Sequence, residues 1–250
     1  MPKLWSILLG AGAFLGALML WCFLTYGGIV KPLFLPTPTA VVADLVQLFT
    51  AEDFAYDILM SVFRVLAGFG LAALLATPLG ILMGTFRPLE AIVSPFCAFV
   101  RYMPAAAFIP LIILWLGIGH GQKISVIFLG VFFYMLILIA GEADQVKKDL
   151  IETAYTLGAS RWQILRRVIA PAALPGVLKS LRAMVGAAWT YLIVAELVAA
   201  QTGIGFRISE AQRFLRTDRV IAGIVVIGAI GVLTDLLFKV VSAWLTSWEE

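Results

Sequence analysis

Ionisable residues are scarce enough in this 250-residue chain that each one inside an apolar run needs a reason. Charged residues make up 13% and apolar residues 62%, whereas soluble domains are roughly a quarter charged. Arg64, Arg101 and Glu196 lie in or beside long apolar segments. A charge at bilayer depth costs at least a few kcal/mol unless paired or wetted. Two readings follow: Arg101, with Arg64, favours an anion on a pathway through the membrane, or these groups pair with Glu196 or with backbone and serve packing. Asp235, in the last apolar run, carries the same ambiguity. Catalytic and metal chemistry fit poorly. The one histidine, His120, sits in the glycine-rich turn from Gly117 to Gly121 and reads as an exposed loop residue. Cys22 and Cys97 lie inside apolar runs without paired spacing, as small core residues do. No phosphate-binding GxxxxGK[ST] is present. No catalytic, metal-binding or cofactor-binding residue is assigned.

The elements that must hold those charges are membrane helices. A mean hydropathy of +1.02 and a bilayer core that takes roughly 20 apolar residues per helix predict an all-α integral membrane protein of about six spans. The net charge of +3 falls between apolar runs and reads as a topology signal, not a nucleic-acid surface. The stretch from Ile7 to Leu24 exceeds the usual length of a cleaved signal and is expected to remain as the first span. Lipid attachment at Cys22 is opposed by the bulky Trp21 before it. Residues 31–39, rich in proline, form a connector. Thr39 is placed to cap a short amphipathic helix with Val41, Val42, Leu45, Leu48 and Phe49 on one stripe and Asp44 and Gln47 opposite, as on a membrane surface. Further spans are expected at about 59–86, 90–117, 124–141, 178–200 and 220–245. Pro78, Pro95, Pro104 and Pro110 place the second and third against a bundle interior. The whole chain, 1–250, reads as one domain: residues 1–58 as first span and external connector, 59–250 as core.

With the amino terminus in the cytoplasm, Lys3, Arg87, Lys147, Lys148, Arg161, Arg166 and Arg167 fall inside, as positive charge should. Six spans put both ends there. Arg207, Arg213, Arg216 and Arg219 then lie in or beside an external loop, solvated or available to an anionic solute or an acidic partner surface.

The longest polar stretch, 142–175, separates the fourth and fifth spans. Asp149 and Glu152 have capping-box spacing, Asp149 as N-cap. Gly158 suits a left-handed helix end, and Ser160 can cap a second helix from Arg161 to Ile169, before Pro171. The product is a helix-turn-helix knob, or, more plainly, a cytoplasmic loop or surface hairpin.

Glu152-Thr153-Ala154, Gly158 after three residues, and Val168, Pro171 and Pro175 resemble the EAA loop of ATP-binding-cassette (ABC) importer permeases of type I. There the pattern is Glu-Ala-Ala, three residues, Gly, nine residues and Ile-x-Leu-Pro; here Thr153, Val168 and Ala170 replace Ala, Ile and Leu. In order along the chain, Leu35-Pro36-Thr37-Pro38, Arg101-Tyr102-Met103-Pro104, Trp115 to Gly119, Glu196, Gly203-Ile204-Gly205 and Thr217-Asp218-Arg219 are similar to the nitrate, sulfonate, taurine and bicarbonate branch. The resemblance implies a coupling helix whose Glu152, Ala154 and Gly158, with Arg161 and Trp162, meet a separate ATPase that binds the ATP and Mg. It also implies two ATPase copies, a second permease subunit forming a homodimer, a periplasmic or lipid-anchored solute-binding protein, and a place in the bacterial cytoplasmic (inner) membrane. Small anions are the implied solutes, with neutral or heteroaromatic solutes such as thiamine precursors as the alternative. A secondary transporter would be expected to carry an inverted repeat, and none is visible.

Overall fold

Small residues at four-residue spacing decide how the bundle closes. In the computed structural model, which describes residues 3–246, helix α3 (Phe54–Thr85) turns Gly68, Ala72, Ala76, Gly80 and Gly84 toward α6 (His120–Asp144). A methyl group at Gly68 would overlap Ile127, and one at Gly80 would overlap Ile139. Such small-residue ridges let membrane helices approach closely where the hydrophobic effect supplies no drive. This is the most extensive helix pair, followed by α6 with α9 (Ala170–Ala199). Val131, Met135, Ile139, Val177, Ala188 and Leu192 fill the core between them.

The outside of the bundle stays apolar, with Phe14, Leu114, Leu74 and Trp244 among its exposed side chains, which is the surface a bilayer requires. Among the described residues five helices are long and apolar enough to cross a membrane: α1 (Lys3–Tyr26, of which the span is Leu8–Tyr26), α3, α6, α9 with the turns before it, and α11 (Thr217–Leu245). The Lys3 side chain, read as a topology signal, lies outside the described residues. The sixth crossing is where the structure departs from the sequence reading. In place of one span over 90–117, α4 (Arg87–Arg101) and α5 (Ile109–Leu116), joined through a short 3-10 turn at Ala105–Phe108, bend by 83°. Pro104 has no N–H to continue α4 and pushes Met103 out of helical backbone.

The opposite error occurs at the fifth span. The second hairpin helix does not stop before Pro171; α8 (Arg161–Ile164) runs through a wide π-turn at Leu165–Ile169 straight into α9. Pro171 cannot donate to the carbonyl one turn back, and the wider turn absorbs the mismatch.

Helix α2 (Pro38–Ala51) is capped by Thr37, whose hydroxyl accepts from Ala40 N at 3.3 Å, and not by Thr39. Pro38 occupies the first helical position, where its missing N–H costs nothing. The expected stripe is split: Val41 and Leu48 are buried and Leu45 half-buried, Val42 and Phe49 face outward, and Asp44, expected on the polar side with Gln47, is buried. Asp44 turns inward because two arginines await it there.

Candidate functional site

The polar stretch folds as a knob with a tightly specified turn. Helix α7 (Lys148–Thr156) follows Lys147, which already has non-helical backbone, so Asp149 falls in the first turn and is not the N-cap. Its carboxylate still favours the positive end of the helix dipole. At the other end Gly158 has φ of +80°. Ala159 N donates to Ala154 O at 3.0 Å and Gly158 N to Tyr155 O at 2.9 Å, the paired bonds of a Schellman end. Ser160 and Gln163 then form a capping box, Gln163 N donating to Ser160 Oγ at 3.4 Å and Ser160 N to Gln163 Oε1 at 2.8 Å.

Caps shape both ends of the turn, while α8 is tied to the bundle core through Ile164, which is 2% exposed. Helix α7 has no buried residue. Ile151 and Ala154 are half-buried against the bundle, so Ala154, read as an outward contact, also serves the packing of the hairpin on itself. Cavities of about 330 and 460 Å³ flank the helix; Arg161, Lys148 and Asp144 line the first, Ala154, Val168 and Pro171 the second. Glu152, Gly158 and Arg161 are exposed. Trp162 is 58% exposed, with the Arg166 guanidinium 5.8 Å from its ring centre, and Leu157 is 82% exposed at the tip. Leu157 was missed in the sequence; the signal is an apolar residue next to the turn glycine of a polar loop.

At the opposite end the charges are locked to one another. Arg64 donates to Glu196 Oε1 at 2.5 Å, to Thr202 O and Oγ1 at 2.7 Å each, and to His120 Nδ1 at 3.3 Å. Glu196 also accepts from Ser61 Oγ at 2.9 Å and Gly205 N at 2.8 Å. Both charged residues are almost fully buried. Of the two readings of Arg64 and Glu196, the pairing is what forms. His120 is exposed, as expected, but it opens α6 instead of lying in the turn and accepts from Arg64, with the Phe63 ring packed edge-on.

The four arginines beyond are not a free basic cluster either. Arg207, on α10 (Ile204–Arg213), donates to Asp57 at 2.6 Å and to Glu52 at 3.2 Å. Arg216 donates to Asp44 at 2.5 Å, and Arg219 to Glu52 at 2.9 Å. Burial disfavours the charge on Arg207, but the Asp57 hydrogen bond and the carboxylates around it prevail and hold its pKa above the ordinary arginine value. Arg213 alone of the four is exposed. Each pair joins residues 150 or more positions apart, which local sequence cannot reveal.

Arg101 is different. It ends α4 at the 83° break, held there by Tyr134, whose hydroxyl donates to Arg101 O at 3.0 Å from the middle third of α6. Its guanidinium lies 5.1 Å from the centre of the Tyr102 ring. Among the described residues it has no carboxylate partner, and its buried Nε has no acceptor. Arg182 has one, Asp235, at 2.6 Å, which answers for Asp235 as well. That pair is about two-fifths exposed, in a groove of about 790 Å³ between α9 and α11. Among the described residues no group of His, Cys, Asp and Glu is arranged to hold a metal.

A multi-span helical bundle with a capped knob between its fourth and fifth spans has the architecture of an importer permease. Residues 76–247 match the model of the binding-protein-dependent transport system inner membrane component, and the chain belongs to that family of ABC importer permeases. It is 38% identical to a probable ABC transporter permease protein of Brucella abortus (strain 2308), over 92% of this chain and 91% of that one. It is 34% identical to the taurine transport system permease protein TauC of Escherichia coli (strain K12), over 97% and 90%, and 31% identical to the bicarbonate transport system permease protein CmpB of Synechococcus elongatus, over 98% and 90%. The fold is also that of a chain in the inward-facing MetNI methionine ABC transporter, with a TM-score of 0.61 at 20% identity, covering 77% of this chain and 99% of that one.

Proposed function

We propose that this permease works as one of two identical subunits in the bacterial cytoplasmic membrane, both termini inside, and carries a small anion inward. Two copies of a separate ATPase, which binds the ATP and Mg, dock on the α7–α8 knob, and a solute-binding protein delivers the solute at the opposite end. The observation that carries this reading is the knob itself: caps fix its shape, no core residue ties α7 down, and Leu157 and Trp162 are left in the open. Such exposed apolar anchors on a rigid turn suit a partner's groove. Glu152 and Arg161 supply polar contacts around them, Gly158 makes the turn, and Ala154 sets its spacing. Closure of the ATPases then moves the knobs as levers and switches the bundle between two arrangements.

A second subunit is supported by the Arg182–Asp235 pair, which is too exposed to face hydrocarbon at a cost of a few kcal/mol per charge. A small anion is supported by the relatives that carry taurine and bicarbonate and by Arg101, whose charge no carboxylate of the described chain answers.

The test is to purify the tagged chain from its native cells in mild detergent and identify what accompanies it by mass spectrometry. An ATPase subunit is expected with the unaltered chain, reduced with Glu152→Ala and absent with Gly158→Pro. A chain that purifies alone under several mild conditions contradicts the reading.

A further inference from the structure

The buried frame at the end opposite the knob has a proton-sensitive member on its rim. Arg64 is the hub. Its Nη1 and Nη2 hold Glu196 and both oxygens of Thr202, whereas its Nε donates to His120 Nδ1 at 3.3 Å. The two Thr202 contacts, at 2.7 Å each, pin the α9–α10 loop to α3. The rest of that loop is seated in the same way: Gly203 N donates to Asp57 at 2.7 Å, Ile204 N to Ser61 at 3.0 Å and Gly205 N to Glu196 at 2.8 Å. Asp57, Ser61 and Arg64, spaced by four and three residues, share one face of α3. Gly203, at φ of +115°, has no room for a side chain between Glu196 and Arg64. Three consecutive backbone donors at the start of α10 therefore answer to side chains, which makes this seat a clamp.

A ring nitrogen that accepts from a guanidinium is unprotonated, so the clamp is made with His120 neutral and its proton on Nε2. His120 is exposed, while Ser61, Arg64 and Glu196 behind it are buried. The charges around the ring offer no compensation for a second proton. Arg64 faces it from α3, and Lys123, itself 2% exposed, from the next turn of α6. Helix α5, packed beside α6, and residues 200–203 of the α9–α10 loop carry no titratable side chain. Glu196 of α9 lies behind Arg64, already shared among Arg64, Ser61 and Gly205. We propose that His120 is a pH switch: protonation at Nδ1 removes the acceptor of Arg64 Nε, places like charges side by side, and loosens the clamp that seats α10. Imidazoles ordinarily titrate at about pH 6.5, well above exposed carboxylates at about pH 4. The clamp is closed above the imidazole range and opens as pH falls through it. The switch senses the side of the membrane away from the knob, because His120 opens α6, whose 25 residues rise about 37 Å before the knob begins.

The test is hydrogen exchange of the 202–205 segment in the full chain in nanodiscs, from pH 7.5 to 5.5, corrected for the intrinsic pH dependence of exchange. The chain has one histidine, so His120→Gln, which keeps a neutral acceptor, removes all imidazole titration from it. In the unaltered chain, exchange at Gly203, Ile204 and Gly205 should rise about tenfold over that interval, the ratio expected if the open clamp holds the proton ten times better than the closed one. His120→Gln should exchange slowly across the range, and His120→Lys, a fixed cation, rapidly across it. Amides of α6 at 131–139 should stay protected throughout, which marks each chain as folded; if His120→Lys loses that protection, the unaltered chain and His120→Gln still decide. A flat profile in the unaltered chain overturns the proposal. So does a rise that persists in His120→Gln, which assigns the proton to Glu196 or Asp57, and so does slow exchange at every pH in a folded His120→Lys.

Discussion

The two ends of the bundle are built on opposite principles. At the knob, helix α7 buries no residue, and its shape comes from local bonds within one hairpin. At the other end, Arg64, Glu196, Asp57, Arg207, Asp44 and Arg219 pair with one another across five helices and are largely buried. A surface fixed by local caps can meet a partner and move as a lever without loosening the core. A network of buried charges cannot lose one member cheaply, so it behaves as a rigid frame around the long helices.

Removing one partner of the central pair should produce the largest effect. Glu196→Ala leaves Arg64 buried and uncompensated and should cost about 3–5 kcal/mol, seen as a collapse of thermal stability in detergent. If Glu196→Ala melts like the unaltered chain, the frame is not what holds this end. Overpacking comes next. Gly80→Leu drives a side chain into Ile139 and should cost about 1–3 kcal/mol in the same melts, with α3 and α6 forced apart. Within the knob, Ser160→Ala removes one cap and should cost about 0.5–2 kcal/mol, felt as local hydrogen exchange at 160–164 with little change in the global melt. Smallest in stability are Glu152→Ala and Arg101→Gln, both within about 0.5 kcal/mol, since neither side chain has a carboxylate–arginine partner in the described chain. The first should nonetheless reduce ATPase recovery. A large loss of stability from Glu152→Ala would erase the distinction between the two ends.

How much of this could be read in the sequence follows the same division. Gly158 and Ser160 were legible because their roles depend on residues three to five positions away. The general run of spans was legible from hydropathy, which sums over a whole helix. What failed were features decided by distant residues or by backbone detail. Asp44 seemed to belong on the polar face of α2, yet the arginines that bury it lie more than 170 positions later. The external arginines read as a free cluster for the same reason. Pro171 read as a stop, but a π-turn let the helix pass through it. Prolines at 104 and 110 signalled an interruption; nothing local distinguished a kinked span from an 83° break. Arg101, with Arg64, read toward a pathway; the fold gives Arg64 a carboxylate partner, and among the described residues Arg101 has none.

The most direct test places a photo-crosslinking amino acid at Leu157 of the knob, and separately at exposed Phe214 at the opposite end, in living cells. The account predicts an ATPase adduct from position 157 that disappears when Gly158→Pro is added, and none from position 214. An ATPase adduct from 214, or only lipid and self-adducts from 157, would contradict it.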